Sequence, residues 1–176
     1  METREYHDAY SESLEADFQE LESALLSDTV KILAPNEPIK CSAETTVYAA
    51  IHQMSEKRRA SVVIVDKDGQ LRGIFTERDL LRRVAVPGRD PKTTPLGDVM
   101  TRDPESLGPD TLIAYAINRL HNASYRTIPI IDAQGRPIGV MTVNDIVQWL
   151  AELFPEAILN APPGGALKRP HDVDAG

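Results

Sequence analysis

Two short segments, 66 residues apart, carry the side chains best suited to bind a ligand. Residues 73–79 read Gly-Ile-Phe-Thr-Glu-Arg-Asp and residues 139–145 read Gly-Val-Met-Thr-Val-Asn-Asp. A threonine hydroxyl and the free N–H groups of a helix start can hold a phosphate or a hydroxyl group. An aspartate one turn into the helix can accept two hydrogen bonds from a vicinal diol such as that of ribose. The same Thr-x-x-Asp spacing is also that of a helix capping box. Each copy of the motif therefore has two interpretations, ligand binding and helix capping.

Each of these segments requires a strand that ends at the threonine and a helix that begins directly after it. The sequence predicts strands at 71–76 and 137–142 and helices at 77–84 and 143–153. An Asp-x-x-Gly turn precedes each strand, and the glycine can supply a positive φ. Before each turn runs an apolar stretch typical of a strand covered on both faces, at 61–65 and 128–131. Before each apolar stretch, the sequence predicts a short extended piece followed by a helix.

The two segments belong to an internal repeat. Residues 38–81 and 104–147 align without a gap, and ten of the 44 positions are identical. Such self-similarity indicates a duplicated supersecondary unit of β-α-β-β-α order. The predicted fold class is α/β (α+β): two tandem repeats packed as one pseudo-twofold module, with an added N-terminal helix. The predicted boundaries are an acidic helix at 1–28, repeats at 29–85 and 96–153, a linker at 86–95 and a flexible tail at 154–176.

The charge of the chain is concentrated at its N-terminus. The net charge is −8, and residues 1–28 carry nine acidic residues and one basic residue. The remainder is neutral, and composition therefore gives no support for nucleic-acid binding. The acidic segment is either a solvated helix face or a docking surface for a basic partner. Its apolar stripe, from Tyr10 to Leu25, packs either on its own domain or in a dimer contact.

Several functional classes have no support in the sequence. It contains no nucleophile-elbow, HExxH, CxxC or phosphate-loop pattern, and its four histidines lack metal-ligand spacing. Neither catalytic nor metal-binding residues are therefore predicted, and an enzyme is not expected. No apolar run is long enough to span a bilayer, and the first residues lack the apolar core of a signal peptide. With Cys41 as the only cysteine, a cytoplasmic location is predicted.

On these motifs the chain resembles a tandem CBS-domain protein of the cystathionine β-synthase type, over residues 28–152. The resemblance rests on the repeat order, the turn, the two Gly-to-Asp segments and the block Gly-Asp-Val-Met-Thr at 97–101. It implies a stand-alone Bateman module, often dimeric, that senses adenosine-containing ligands in clefts between the repeats. It also implies an adenine nucleotide as the regulatory ligand and no required cofactor.

The resemblance also implies which residues contact the ligand. Asp79 and Asp145 would hold ribose, and the threonines would lie near the ligand. The stretch before each central strand would line the base and phosphate. The implied ligand-binding residues are Thr45, Ala60, Ser61, Val62, Thr76, Arg78, Asp79, Thr111, Arg126, Thr127, Ile128, Thr142, Asn144 and Asp145.

The two copies differ at two positions that bear on charge. Arg78 stands where the second copy has Asn144, and Arg126 stands where the first has Ala60. One hypothesis is that both arginines supply phosphate charge, because guanidinium gives a bidentate match to phosphate. The other is that they are surface arginines.

The predicted function is a regulatory module that binds an adenosine-containing nucleotide. AMP is placed first, then ADP or ATP, S-adenosylmethionine or NAD. The alternative is a ligand-free module for protein interaction and dimerisation. We expect a homodimer formed through the CBS pair and an effector protein of unknown identity as a further partner. Binding to a membrane is not expected.

Overall fold

The structure, a computed structural model, describes residues 18–122 and 126–154. The predicted β-α-β-β-α order occurs in full in the first repeat. It recurs in the second repeat with the first strand reduced to a single bridge at Leu107. The elements are α1 (18–27), β1 (Lys40–Cys41), α2 (Val47–Lys57), β2 (Ser61–Val65), β3 (Leu71–Thr76), α3 (Glu77–Asp79 continuing as a π-helix at Leu80–Ala85), β4 (Thr101–Arg102), α4 (Ile113–Asn122), β5 (Thr127–Ile131), β6 (Pro137–Thr142) and α5 (Val143–Leu153).

The helices α2 and α4 bury apolar residues that recur at helical spacing. In α2 the buried residues are Val47, Ala50 and Met54. The Thr46 hydroxyl accepts a hydrogen bond from the N–H of Ala49 and so caps the first turn. Arg58 ends the helix in the left-handed region, with φ 51°. The corresponding residues of α4 are Ile113, Ala116 and Leu120, all buried.

The strands form two antiparallel pairs in equivalent register. Ser61 pairs with Thr76 in β2 and β3, and Thr127 pairs with Thr142 in β5 and β6. β1 adds to β2 in parallel, and Leu107 makes the matching parallel bridge to Ile130 in the second repeat. The central strands are buried on both faces, as their continuous apolar runs predict.

Each antiparallel pair is joined by a tight turn stabilised by aspartate. Asp66 Oδ1 accepts the N–H groups of Asp68 and Gln70, and Asp132 Oδ1 does the same for Gln134 and Arg136. Gly69 and Gly135 have φ of 78° and 75°, a region in which a side chain would be strained.

The segment at the start of each repeat packs on the other repeat. We call residues 28–36 the first lead segment and residues 94–102 the second. Thr29 bridges to Leu112 and Asn36 to Val140, both in the second repeat. β4, the end of the second lead segment, instead pairs with β3 of the first repeat. The two repeats therefore exchange their lead segments, and neither sheet is complete without the other repeat.

The exchange extends to the hydrophobic cores. One core combines the first repeat with Leu96, Val99 and Met100 of the second lead segment. The other combines the second repeat with Val30 of the first lead segment and Ala24 of α1. The buried side chains of each lead segment thus stabilise the opposite repeat, which makes the pair one folding unit.

The described part of the N-terminal helix packs on its own chain. Leu21, Ala24 and Leu25 contact the core of the second repeat. Phe18 and Leu26 are each 68% exposed and take no part in that contact. Of the two sequence-based alternatives, packing on its own domain therefore applies to part of the apolar stripe. The predictions for residues 1–17 and for the tail from residue 155 onward lie outside the described residues.

The helix predicted at 77–84 has a more irregular form in the structure. Only Glu77–Asp79 is α-helical, and Leu80–Ala85 follows as a π-helix. In the π-helical part, Arg83 donates to the carbonyl of Val99 at 3.0 Å. Hydrophobic spacing over so few residues indicates a helix but does not reveal its hydrogen-bond pattern, so it does not distinguish the two helix types.

Across residues 18–122 and 126–154, no helix has the length and apolar character that crossing a bilayer requires.

Candidate ligand-binding clefts

Both strand-to-helix junctions form capping boxes. Thr76 donates from its N–H and its hydroxyl to Asp79 Oδ2, at 3.0 and 2.8 Å. Thr142 donates in the same way to Asp145 Oδ2, at 2.6 and 2.9 Å. The capping alternative therefore applies to both copies. Capping uses one oxygen of each carboxylate, so the capacity for a ligand depends on the other oxygen.

The second oxygens of the two aspartates have different neighbours. Asp79 Oδ1 accepts from the Thr101 hydroxyl at 3.4 Å and pairs with Arg83 Nε at 3.3 Å. Within residues 18–122 and 126–154, Asp145 Oδ1 has no such partner. The alignment of the two repeats explains this difference, because the positions equivalent to Thr101 and Arg83 hold Pro35 and Trp149. Trp149 donates instead to Asp28 Oδ2 at 3.0 Å.

The main-chain N–H groups at the two helix starts are already engaged. The N–H of Glu77 donates to the carbonyl of Ala60 at 3.1 Å, and that of Val143 donates to the carbonyl of Arg126 at 3.4 Å. These contacts place residues 60 and 126 directly beside the junctions. They also leave the first N–H of each helix unavailable to a phosphate.

Each junction lies against the lead segment that the other repeat contributes. A Cβ on Gly139 would lie 2.9 Å from Cβ of Pro35, and one on Gly73 would collide with Sδ of Met100. The glycines thus permit the lead segments to approach β3 and β6 closely. We call the space around Asp79 and the second lead segment the first cleft, and that around Asp145 and the first lead segment the second cleft.

The other predicted residues are distributed unevenly around the clefts. Val62 and Ile128 are fully buried in the two cores, so only their main-chain atoms could contact a ligand. Ser61 is buried, and Thr127 is half-buried opposite Thr142. Arg78, Asn144, Arg126 and Ala60 are exposed at the junctions.

The threonines at the first helix of each repeat lie in the turns before α2 and α4. The Thr45 hydroxyl accepts the N–H of Ser42, and its carbonyl accepts the N–H of Leu96 in the second lead segment. The Thr111 carbonyl accepts the N–H of Val30 in the first lead segment. Both threonines therefore fix a lead segment through the main chain.

A cavity of about 560 Å³ beside the first cleft was not predicted from the sequence. Thr101 joins it to Asp79, and three arginines contribute to its wall. Its lining residues are Arg83, Arg89, Gly97, Asp98, Met100, Thr101 and Arg102. The sequence signal is that the positions equivalent to Arg83 and Arg102 hold Trp149 and Asn36.

Cys41 is not placed for nucleophilic chemistry. It is buried on β1, and this burial raises the pKa of its thiol, opposed in part by the charge of Lys57. A thiol that stays protonated is a poor nucleophile. Among the described residues there is also no group of three His, Cys, Asp or Glu side chains that could hold a metal ion.

Comparison with known proteins identifies the repeats. The family model described as the CBS domain matches residues 31–86 and 96–152. The mitochondrial CBS domain-containing protein CBSX3 of Arabidopsis thaliana is 34% identical over 134 residues, which are 72% of this chain and 65% of CBSX3. Protein MK0525 of Methanopyrus kandleri is 31% identical over 69% of this chain and 62% of its own. The chain thus spans less than two thirds of the length of these curated relatives.

Solved structures show the same fold. A conserved protein from Pyrococcus horikoshii matches with a TM-score of 0.65 at 25% identity, covering 70% of this chain and 92% of its own. The CBS domain pair of protein MJ0100, in complex with 5′-methylthioadenosine and S-adenosyl-L-methionine, matches with a TM-score of 0.64 at 21% identity, covering 71% and 97%. Since the family model matches more than half of the chain, with its two matches corresponding to the two repeats, the protein belongs to the CBS-domain family.

Proposed function

We propose that this protein is a regulatory module that binds an adenosine-containing nucleotide in the clefts between its CBS domains. It passes the presence of the ligand to another protein and has no catalytic activity of its own. AMP is the first candidate, followed by ADP or ATP, S-adenosylmethionine and NAD. A cytoplasmic location is part of the same proposal.

The observation that carries the proposal is the uncommitted oxygen of Asp145. Its Oδ2 is fixed by Thr142, which sets the orientation of the carboxylate. Its Oδ1 has no partner within the described ranges and can accept hydrogen bonds from a vicinal diol. Because the carboxylate is already oriented, little conformational entropy is lost on binding. The second cleft is therefore prepared for ribose, whereas the first would have to displace Thr101 or Arg83 from Asp79.

The adenosyl class has support from a protein of the same fold. The MJ0100 pair binds 5′-methylthioadenosine and S-adenosyl-L-methionine, which share an adenosine group. At 21% identity this likeness extends to the fold and does not select a ligand for this chain. The choice of AMP rests on Arg126, which is exposed beside the second junction and is suited to a phosphate.

The experiment is thermal unfolding and calorimetric titration with adenosine, AMP, ADP, ATP, S-adenosylmethionine and NAD. A native-state ligand at 100 times its Kd adds about 2.7 kcal/mol to the free energy of unfolding. For a chain of this size that raises Tm by roughly 5–11 °C. Absence of any shift with all six compounds at millimolar concentration would exclude the proposal.

The alternative function is a ligand-free interaction module. It is favoured by the first cleft, where both carboxylate oxygens of Asp79 already have partners within the chain. Under this alternative the clefts stabilise the fold only, and assembly is the function. The same titrations distinguish the two, since the interaction module binds none of the six compounds.

A further inference from the structure

The cavity beside the first cleft has an excess of positive charge. Arg83, Arg89 and Arg102 contribute to its wall, and Asp98 is the one acidic residue among the described residues that line it. The Nη2 of Arg102 donates to the carbonyl of Gly97 at 2.7 Å, a contact that leaves its charge uncompensated. Within the described ranges, Arg89 has neither a hydrogen bond nor an ion pair from its side chain. Two guanidinium groups therefore face this space without a carboxylate partner in the structure.

The Arg83 side chain is the part of the cavity wall that contacts within the chain hold in place. Its guanidinium donates to the carbonyls of Val99 and Met100 and pairs with Asp79. These contacts hold α3 against the second lead segment and so set the distance between the two sides of the cavity. A preformed wall lowers the entropic cost of binding.

The pseudo-twofold symmetry shows that this charge is not a requirement of the fold. The equivalents of Arg83 and Arg102 are Trp149 and Asn36. Trp149 is buried in the second core, and Asn36 bridges to β6 and accepts a hydrogen bond from Arg59 Nη2 at 2.8 Å, so the second repeat makes the corresponding structure with no arginine at either equivalent position. The arginines are therefore an addition to one half of the module.

We propose that this cavity is an anion-binding site for a phosphate or pyrophosphate group. Guanidinium groups bind such groups through bidentate, charge-assisted hydrogen bonds, and two of them without a carboxylate partner around one space suit two linked phosphates better than one. The anion is either the phosphate end of a nucleotide held at the first cleft or a free inorganic phosphate. The first source rests on the proposed nucleotide-binding function, and the second does not.

The test uses sodium pyrophosphate as the probe, titrated calorimetrically into the full chain at constant ionic strength. We expect Arg89→Ala to weaken pyrophosphate binding about tenfold or more, the loss expected for a charge-assisted hydrogen bond. Among the described residues its side chain makes no hydrogen bond or ion pair, so the fold should be unaffected. The matched control is Arg82→Ala, which removes an exposed arginine of α3 outside the cavity. Failure of the unmodified protein to bind millimolar pyrophosphate, or equal weakening by both variants, would overturn the proposal.

A second variant tests the opposite wall. Arg102→Lys retains a charge and a donor for the Gly97 carbonyl but loses the planar fork. We expect weaker pyrophosphate binding with an unchanged Tm, and unchanged binding would contradict a role for Arg102.

Two further arms distinguish the source of the anion. If it belongs to a nucleotide, pyrophosphate competes with ADP, and Arg89→Ala weakens ADP while leaving adenosine unchanged. If it is free, pyrophosphate and ADP bind without competition, and Arg89→Ala leaves ADP unchanged. Should no nucleotide bind at all, the pyrophosphate titration still decides the anion site, so the two proposals fail separately.

Discussion

Asp79 and Asp145 occupy equivalent positions, yet one carboxylate oxygen distinguishes them. In the first repeat Thr101 and Arg83 occupy Oδ1, whereas in the second Oδ1 is uncommitted within the described ranges. The difference arises from side chains outside the shared motif. Identical Thr-x-x-Asp sequences can therefore have different capacities for a ligand.

The corresponding prediction concerns two matched variants. Asp145→Asn should abolish adenosine binding or weaken it at least about tenfold, because the amide lacks the charge that strengthens hydrogen bonds from the diol. Asp79→Asn is the control, since it alters the same capping box in the first repeat. The measurement is calorimetric titration with adenosine, with Tm recorded for each variant. A larger loss of adenosine affinity in Asp79→Asn would assign ribose to the first cleft instead.

The carboxyl group of the turn residue Asp66 makes the stability of the protein depend on pH. A hydrogen bond from the Gln70 main chain is the largest effect lowering its carboxyl pKa, and contacts with Arg72 and Asp68 add to it. A lowered folded-state pKa contributes stability at pH values above the ordinary carboxyl pKa. That contribution is lost as the pH falls through the folded-state value.

We therefore expect Asp66→Asn to destabilise the protein more at pH 7 than at pH 3. Asp132→Asn is the matched control, because Asp132 makes the same turn but the position equivalent to Arg72, its ion-pair partner in the first repeat, holds Ile138. Urea unfolding at both pH values, with and without added salt, measures the difference. An equal loss in both variants would show that the ion pair with Arg72 contributes nothing measurable.

At the scale of elements, the exchange of lead segments depends on close approach at two glycines. The strands β3 and β6 each have a glycine where the opposite lead segment crosses. The two crossings differ in what a methyl group would meet. At Gly139 it meets Cβ and Cγ of the rigid Pro35 ring, whereas at Gly73 the nearest atom is Sδ of the flexible Met100 side chain, with the Thr101 carbonyl oxygen 3.1 Å away.

Gly139→Ala should therefore destabilise the protein by about 1–3 kcal/mol, the usual cost of overpacking. Gly73→Ala should cost less, because the Met100 side chain can change rotamer and the substitution reduces unfolded-state entropy. Urea denaturation curves of the two variants give the comparison. Equal stability of the two would indicate that the first lead segment is not held against β6.

At the scale of the whole molecule, two exposed apolar residues are related by the pseudo-twofold axis. Leu81 on α3 is 60% exposed and Val147 on α5 is 56% exposed, and they are 66 positions apart. An isologous dimer buries the same patch on both subunits, and exposed apolar side chains are the ones that such a contact covers. These residues therefore support the expected homodimer, with a second copy of the chain as the partner.

We predict that the protein is a dimer in solution and that the double variant Leu81→Asp, Val147→Asp is a folded monomer. Light scattering after size-exclusion chromatography measures the mass, and Tm reports folding. The control is Phe18→Asp, Leu26→Asp, which changes the exposed apolar residues of α1. Dissociation by this second pair alone would place the contact on α1, and a monomeric unmodified protein would remove the dimer prediction.

The sequence by itself determined the elements and the two capping motifs. Repeat spacing, the apolar runs at 61–65 and 128–131 and the Asp-x-x-Gly turns act within a few residues, so they can be interpreted without knowing the fold. The strand from Leu71 to Thr76 and the helix from Val143 to Leu153 have the predicted bounds. The Thr-x-x-Asp spacing likewise located both junctions.

Only the tertiary structure decided which lead segment completes which repeat and what surrounds each aspartate. The contact from Trp149 to Asp28 joins residues 121 positions apart, and Thr101 reaches Asp79 across 22. No local pattern encodes such pairs, because their distance depends on how the repeats pack. For the same reason the arginines of the cavity, which lie on α3, in the linker and on β4, became a single feature only in the fold.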